Sequence, residues 1–254
     1  MLRHKYDIYI YIYIYNMHCR TGRGLREKEE TKMKSTRREV EKRSEIGSVI
    51  EELSMMGTVK PGEKHESGYI PTKPFLSVCY FVLQVLADKI GPTMAVLRQD
   101  VYQNIKTLEL MHESNTSVNS NLVEILKSEA KEGNARKGSS CSKAMVWLTR
   151  TLDFTSSLLQ ALAKDPEKRM EQVVEEAYEV TLKPWHGWIS SAAFRVALRL
   201  VPESKTFVNI LKTEEENYDI LKEKMQMLVS LFVPFLEDVH CILRLYNLDK
   251  IKST

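Results

Sequence analysis

Residues 182–189 constrain this chain most, because they place two tryptophans and a histidine at a predicted break between two helices. Apolar residues recur at helical spacing on both sides of the stretch, over 170–181 and 188–200. Pro184 lacks an amide donor and disfavours helix at the residue before it, and Gly187 relaxes the backbone. The stretch therefore predicts a corner that brings together one imidazole and two indoles, either as ordinary core packing or as a binding site.

Helical periodicity predicts an all-α fold. After residue 20 no stretch alternates as a strand does, whereas apolar residues recur every three or four positions. Pro92 and Pro166 are expected in first turns of helices, Pro234 is expected to kink the last helix, and 57–74 is expected to be a loop. The first predicted helix begins near 45 and ends by 57. The others are predicted over 75–90, 93–112, 118–132, 141–164, 166–182, 188–201, 205–211 and 214–248.

The balance of charge separates an N-terminal arm from the rest of the chain. The formal net charge of the 254 residues is +3, yet residues 20–43 carry ten Lys or Arg against five Glu, so the remainder is slightly acidic. A domain of this charge does not indicate nucleic acid as a partner. With 43% apolar residues, the part from 45 to 254 is long enough to bury one core, which favours a single domain.

Residues 1–44 are predicted to form a disordered basic extension. Ile8 to Tyr15 alternates Ile and Tyr, which are the two readings of a TA repeat in the nucleotide sequence, so this segment is suspected to be an artefact of the gene model. Met17 or Met33 would then be the true start. A signal peptide is the weaker alternative, since no small-residue cleavage site follows. The basic residues from 20 to 42 are either a solvated tail or an attraction for anionic lipid.

The sequence contains no motif typical of an enzyme or a metal site. The four cysteines are scattered without a CxxC pair, which argues against a disulfide framework and against zinc, and favours a reducing, intracellular setting. Signatures of serine hydrolases, zinc proteases, P-loops and dinucleotide sites are also missing. The sequence contains no run of 18 or more apolar residues, so no segment is predicted to span a membrane. We therefore predict no catalytic residue, no metal and no cofactor.

Two helices carry polar groups beside their apolar stripes. In 93–112, Asp100 and Asn104 fall one turn apart on one flank of the stripe with Thr107 beside them, whereas Lys106 falls on the opposite face. Such a pair is either an ordinary solvent-edge pair or a hydrogen-bonding shelf next to apolar surface.

The helix predicted over 141–164 carries Trp147 on its apolar stripe, with Lys143 and Arg150 at the edge. A flat indole packs against a neighbouring side chain or stacks on the apolar face of a sugar with equal ease. The sequence of the helix alone does not choose between core packing and ligand binding.

Three motifs follow one another along the chain: Asp100-Val-Tyr-Gln-Asn104, Ala144-Met-Val-Trp147-Leu-Thr-Arg150 and Tyr178-Glu-Val-Thr-Leu-Lys-Pro-Trp-His186-Gly-Trp188. They resemble the motifs of the glycolipid transfer protein family, and their order and spacing agree with that family over about 45–250. Segments 71–76 and 138–141 resemble plant members.

The resemblance implies a two-layer helical sandwich that encloses one sphingolipid in a lipid pocket. By position, Asp100 and Asn104 would hydrogen-bond the first sugar and the amide region, Trp147 would stack on the sugar, and His186 would bond the ceramide carbonyl. Trp188 would contact the membrane. The family implies a cytoplasmic monomer, reversibly associated with membranes, that carries a glycosylceramide-type lipid between them and is not an enzyme.

One position departs from the glycolipid-selective pattern, because Thr107 stands where these members usually carry Lys or Arg. The related branch that carries phosphorylated ceramide has Lys at the position of Asn104 and a basic residue at that of Trp147, so this chain resembles the sugar-binding branch. A ceramide phosphate carrier stays as the alternative, with Thr107, Lys143 and Arg150 as further headgroup candidates. A second alternative is a sphingolipid sensor or adaptor that uses the basic arm for recruitment.

Overall fold

The computed structural model describes residues 45–56, 68–84, 95–213 and 215–252, with the side chains of 95–97 left out. The regular elements of this part of the chain are all helices, joined by turns and irregular segments, and it contains no strand, only one isolated bridge between Pro71 and Asn121, which confirms the all-α prediction. The helices are α1 (Glu45–Met56), α2 (Thr72–Gln84), α3 (Ala95–Ser114), α4 (Leu122–Lys131), α5 (Cys141–Lys164), α6 (Met170–Thr181), α7 (Trp188–Leu198), α8 (Ser204–Leu211) and α9 (Tyr218–Leu245).

Helix α5 is the central element, and it has the predicted bounds. It packs against α3, α4, α6 and α9, while α1 packs on α2 and α9. Its first turn is capped twice: Ser140 Oγ accepts from the Lys143 amide at 3.1 Å, and the Glu129 carboxylate accepts from the Cys141 and Ser142 amides at 2.8 and 2.7 Å. Such bonds satisfy amides that have no partner within the helix, so they fix where α5 begins.

Several helix boundaries differ from the prediction. Helix α2 begins at Thr72 rather than 75, because Pro74 is tolerated in a first turn. Helix α6 begins at Met170, so Pro166 lies in the preceding turn and not in the helix as predicted. Helix α9 begins at Tyr218 rather than 214 and, as predicted, continues through Pro234, where the kink stays a prediction. The predicted extension over 1–44, Pro92 and most of the 57–74 loop lie outside the described residues.

The predicted helix over 118–132 is divided by Asn121. A 3₁₀ turn, Val118–Ser120, precedes it and α4 follows. Asn121 Oδ1 accepts from the amides of Val123 and Ile70, each at 3.0 Å. One side chain thus caps α4 and also binds the backbone of the segment that leads into α2. Sequence periodicity could not show the bond to Ile70, which comes from 51 residues away.

The core is apolar and continuous across the helices. Its fully buried large side chains include Phe75 of α2, Ile105 of α3, Met145 of α5 and Phe232 of α9. These helices carry apolar residues at helical spacing, as the pattern predicted. No helix in the described part of the chain is long and apolar enough to cross a membrane.

Candidate functional site

The predicted corner between α6 and α7 is present. Lys183–Trp185 form a 3₁₀ turn with Pro184 inside it, and Gly187 is the first residue before α7. The His186 amide donates to the carbonyl of Leu182 at 3.2 Å, which holds the backbone of the turn. The turn brings His186 next to Trp147 of α5, with ring centroids 5.6 Å apart. Residues 39 positions apart in the sequence are thus in contact.

Tyr178 of α6 orients the imidazole of His186. Its hydroxyl lies 3.3 Å from His186 Nδ1 and 3.3 Å from Ser191 Oγ, and its ring is stacked on Phe194 at a centroid distance of 3.5 Å. When the Tyr178 hydroxyl donates its one proton to Nδ1 instead of to Ser191 Oγ, the neutral imidazole carries its own proton on Nε2. His186 then offers an N–H donor to a ligand carbonyl.

Arg150 of α5 lies between two indoles. Its Cζ atom is 4.9 Å from the ring centroid of Trp147 and 4.1 Å from that of Trp185. Its Nη1 and Nη2 atoms donate to the carbonyls of Ile251 and Asp249 at 2.6 and 2.8 Å. Burial lowers the pKa of Arg150 to about 10, although Asp153 and Asp249 act in the opposite direction, so the guanidinium is charged at neutral pH.

We call this group the aromatic–arginine cluster. It combines side chains from α5, α6, α7 and the turn between α6 and α7. The guanidinium cation of Arg150 lies at its centre. Its members are Trp147, Arg150, Tyr178, Trp185, His186 and Phe194.

The cluster keeps His186 neutral at physiological pH. Burial lowers the pKa of His186 below its ordinary value, and the positive charge of Arg150 lowers it further. A neutral imidazole in contact with an indole suits a ligand that offers a carbonyl oxygen and an apolar face.

We expect acidification to destabilise the wild-type chain more than the His186→Gln variant. Because the pKa of folded His186 lies below 6.5, the unfolded chain binds this proton more readily once the pH falls below that value. The stabilisation due to neutral His186 is complete above the unfolded pKa and is lost as the pH falls through the folded pKa. Thermal unfolding midpoints measured from about pH 7.5 to 5.5 test this, and parallel profiles for the two proteins would contradict it.

The polar pair predicted on α3 lies on the helix that packs beside α5. Asp100 is exposed and Asn104 is half-buried, and Asn104 Nδ2 donates to the main-chain carbonyl of Asp100 at 2.9 Å. The side-chain oxygen of Asn104, Oδ1, takes no part in that bond. Thr107 is half-buried, and its hydroxyl donates to the Gln103 carbonyl at 2.9 Å, so it bonds its own helix.

The basic residues near the site have different surroundings. Lys106 lies 3.1 Å from Glu109 Oε2 and over the Tyr102 ring, in agreement with its predicted opposite face. Lys143 is half-buried one turn before Trp147, and no carboxylate of the described residues lies within 4.0 Å of its Nζ. Lys143 is therefore better placed than Arg150, whose terminal nitrogens bond carbonyls, to meet an anionic group of a ligand.

Helix α7 is apolar yet has no fully buried residue. Trp188, at its start, is 78% exposed, and Val180, Val196 and Leu200 are exposed nearby along the chain. Phe194 and Leu198 of the same helix pack only partly against the core. Apolar surface of this kind is typical of a contact with another apolar phase or partner.

Sequence reasoning missed three contributors to the cluster. Trp185 was noted only as an indole at the corner, Phe194 only as part of a helix, and 249–251 not at all. Tyr178 stacks on Phe194 because the two residues lie on adjacent helices around the turn. The available sequence signal for the contact of Tyr178 with His186 was the motif that places the tyrosine eight residues before the histidine. No signal connected Arg150 with a segment about 100 residues later.

Comparison with known proteins identifies close relatives. Residues 70–213 match the family model for glycolipid transfer protein. The chain is 54% identical to glycolipid transfer protein 3 of Arabidopsis thaliana over 218 residues, which cover 84% of this chain and 93% of that protein. It is 50% identical to glycolipid transfer protein 2 of the same plant, over 87% of this chain and all of the relative.

Solved structures with the same architecture agree with these relatives. A structure that shows how FAPP2 selects simple glycosphingolipids with the GLTP-fold superposes with a TM-score of 0.67 at 28% identity, covering 80% of this chain and 99% of that one. Human ceramide-1-phosphate transfer protein bound to its lipid superposes at 0.68 with 14% identity, over 80% and 97% of the chains. The fold is therefore the two-layer helical sandwich of these proteins.

Proposed function

The chain belongs to the glycolipid transfer protein family, and on that premise we propose that it binds one glycosylceramide-type sphingolipid and transfers it between membranes. The observation that carries the proposal is the contact of Trp147 with the neutral His186 at the α6–α7 corner. An indole and an imidazole donor side by side match a ligand whose sugar joins an amide. The lipid leaves chemically unchanged, so the activity is carriage and not catalysis.

Each headgroup contact follows from a side chain described above. Trp147 stacks on the first sugar, and His186 donates to the ceramide carbonyl. Asp100 accepts from sugar hydroxyls, while Asn104 bonds the sugar and the amide region. These bonds discriminate between headgroups, since a buried polar group left unmatched costs about 1–3 kcal/mol.

The hydrocarbon of the lipid explains why a carrier is needed. Burial of apolar groups is worth about 0.8 kcal/mol per methylene, so a ceramide with roughly thirty methylenes represents on the order of 20 kcal/mol. Spontaneous escape of such a lipid into water is correspondingly slow. An apolar interior among the helices, with half-buried Phe194 and Leu198 of α7 beside it, accepts the chains without exposing them to water.

We assign membrane docking to the exposed apolar residues at the start of α7. Trp188 is the first of them, and an indole at a helix end suits the membrane interface. Docking is weak and reversible, so the protein alternates as a monomer between the cytoplasm and the membrane surface. The basic residues of 20–43 add electrostatic attraction to anionic lipid.

A neutral sugar is favoured over a phosphate headgroup by the surroundings of Arg150. Its terminal nitrogens bond main-chain carbonyls, so of Lys106, Lys143 and Arg150 only Lys143 has neither a carboxylate within 4.0 Å nor a main-chain carbonyl bonded to its charged group among the described residues. One cation is a poor match for a phosphate dianion. Transfer of fluorescent galactosylceramide and ceramide phosphate between vesicles tests this preference. We expect faster transfer of galactosylceramide, and faster transfer of ceramide phosphate would overturn the assignment.

We expect Thr107→Lys to strengthen binding of galactosylceramide. The Thr107 hydroxyl is used within its own helix, whereas a lysine there would add a charged donor beside the α3 polar pair. One such bond is worth about 1.5 kcal/mol, or roughly tenfold in affinity. Tryptophan fluorescence titration measures it, with Gln160→Lys on the exposed face of α5 as the charge-matched control. Equal affinities of the two variants would contradict a headgroup role for position 107.

A further inference from the structure

Arg150 is the charged member of the aromatic–arginine cluster, and no carboxylate of the described residues lies within 4.0 Å of its guanidinium nitrogens. It is only 3% exposed, and its guanidinium meets two indole rings and two main-chain carbonyls. Burying a cation is costly unless its donors are satisfied, so this arrangement constrains everything that touches it.

We infer that Arg150 is a positioning residue, which holds the Trp147 ring in place by tying it to the C-terminal segment 246–252. The inference rests on the proposed function, because it takes Trp147 as the surface on which the sugar stacks. The guanidinium covers one face of the Trp147 ring, so rotation of the indole would uncover a buried cation. The same group packs on Trp185 in the turn that carries His186.

The planar shape of the guanidinium is what the geometry requires. Two bonds, from Nη1 and Nη2 to the carbonyls of Ile251 and Asp249, fix its plane, and its Cζ atom lies over the rings of Trp147 and Trp185. Lysine would retain a positive charge but presents a single compact ammonium with no plane to stack. Charge and orientation can therefore be separated by substitution.

The C-terminal segment has its own anchors, so it does not depend on Arg150 to stay in place. Leu248 and Ile251 are buried in the core, and Asn247 adopts φ 57° after the end of α9. Arg136 also donates to this segment, from Nη2 to the Asn247 carbonyl at 2.9 Å. Arg136 is exposed and donates to the same C-terminal segment as Arg150 does, so a substitution of Arg136 provides a matched control.

The test compares Arg150→Lys, Arg150→Met and Arg136→Met in the full chain. Binding of galactosylceramide is measured by titration, the environment of the indoles by near-ultraviolet circular dichroism without lipid, and helicity in the far ultraviolet. We expect both Arg150 variants to bind on the order of tenfold more weakly with altered indole spectra and unchanged helicity. Arg136→Met is expected to stay within about twofold of the wild type on binding.

Three results would overturn the inference. One is that Arg150→Lys binds galactosylceramide as tightly as the wild type and has the same indole spectra, which would show that charge alone suffices. Another is an equal loss in Arg136→Met, which would show a general need for the C-terminal segment. The third is loss of helicity in Arg150→Lys, which would show that Arg150 serves folding. Failure of the wild-type chain itself to bind galactosylceramide would instead contradict the proposed function, and the spectra without lipid would still report on the position of Trp147.

Discussion

Trp147→Ala and Asp100→Val are each expected to abolish measurable glycolipid transfer while leaving the helices intact. Trp147 is half-buried and Asp100 is exposed, so neither change opens a cavity in the closed core. Truncation of a central Trp at a binding site commonly costs 2 kcal/mol or more, a factor of about 30 in affinity. Valine at position 100 removes the acceptor for sugar hydroxyls and puts an apolar group in its place.

Vesicle-to-vesicle transfer of fluorescent galactosylceramide measures both effects, with far-ultraviolet circular dichroism as the check on helicity. Gln160→Ala on α5 and Gln103→Ala on α3 are the controls, because both side chains are exposed on the same two helices. The controls are expected to transfer lipid at the wild-type rate. Undiminished transfer in the two site variants would rule out the assignment of the headgroup contacts.

Trp188→Ala is expected to slow transfer on the order of tenfold without weakening lipid binding in solution. The side chain is 78% exposed, so its removal changes the surface and not the core. An indole at the interface stabilises docking, and transfer requires docking at both the donor and the acceptor membrane. Affinity for the lipid depends on other residues and is expected to stay the same.

Transfer rates, vesicle flotation and solution titration together separate docking from binding. Met227→Ala on α9 is the matched control, because Met227 is also a large exposed apolar residue on another helix. It is expected to behave as the wild type in all three measurements. A Trp188 variant that floats and transfers normally would place the docking surface elsewhere, and one that loses solution binding would place Trp188 at the ligand.

The helices were predictable where their boundaries are set by local chemistry. The bounds of α5 were predicted correctly because capping residues precede Cys141 and a polar stretch follows Lys164. The corner at Pro184 was predicted for the same reason. Prediction failed where a distant contact decides: Asn121 divides a predicted helix because it also bonds Ile70.

The site was predictable only in part, because periodicity places a side chain on a face but does not identify what it meets. The pattern put Trp147 on an apolar stripe, and only the family resemblance linked it with His186. It put Arg150 at the edge of the same helix, where it was a candidate for a phosphate, whereas the structure places it under two indoles and against 249–251. A contact across 100 residues leaves no trace in the spacing of one helix.

Native mass spectrometry of the full chain after incubation with galactosylceramide vesicles tests most directly whether the helices enclose a single sphingolipid. The expected spectrum shows the wild-type chain carrying one lipid molecule, and Trp147→Ala and Asp100→Val carrying none. Gln160→Ala is expected to be loaded as the wild type is. A wild-type chain without lipid, or site variants loaded to the same extent, would contradict the proposal that this corner receives the headgroup of a bound glycosylceramide.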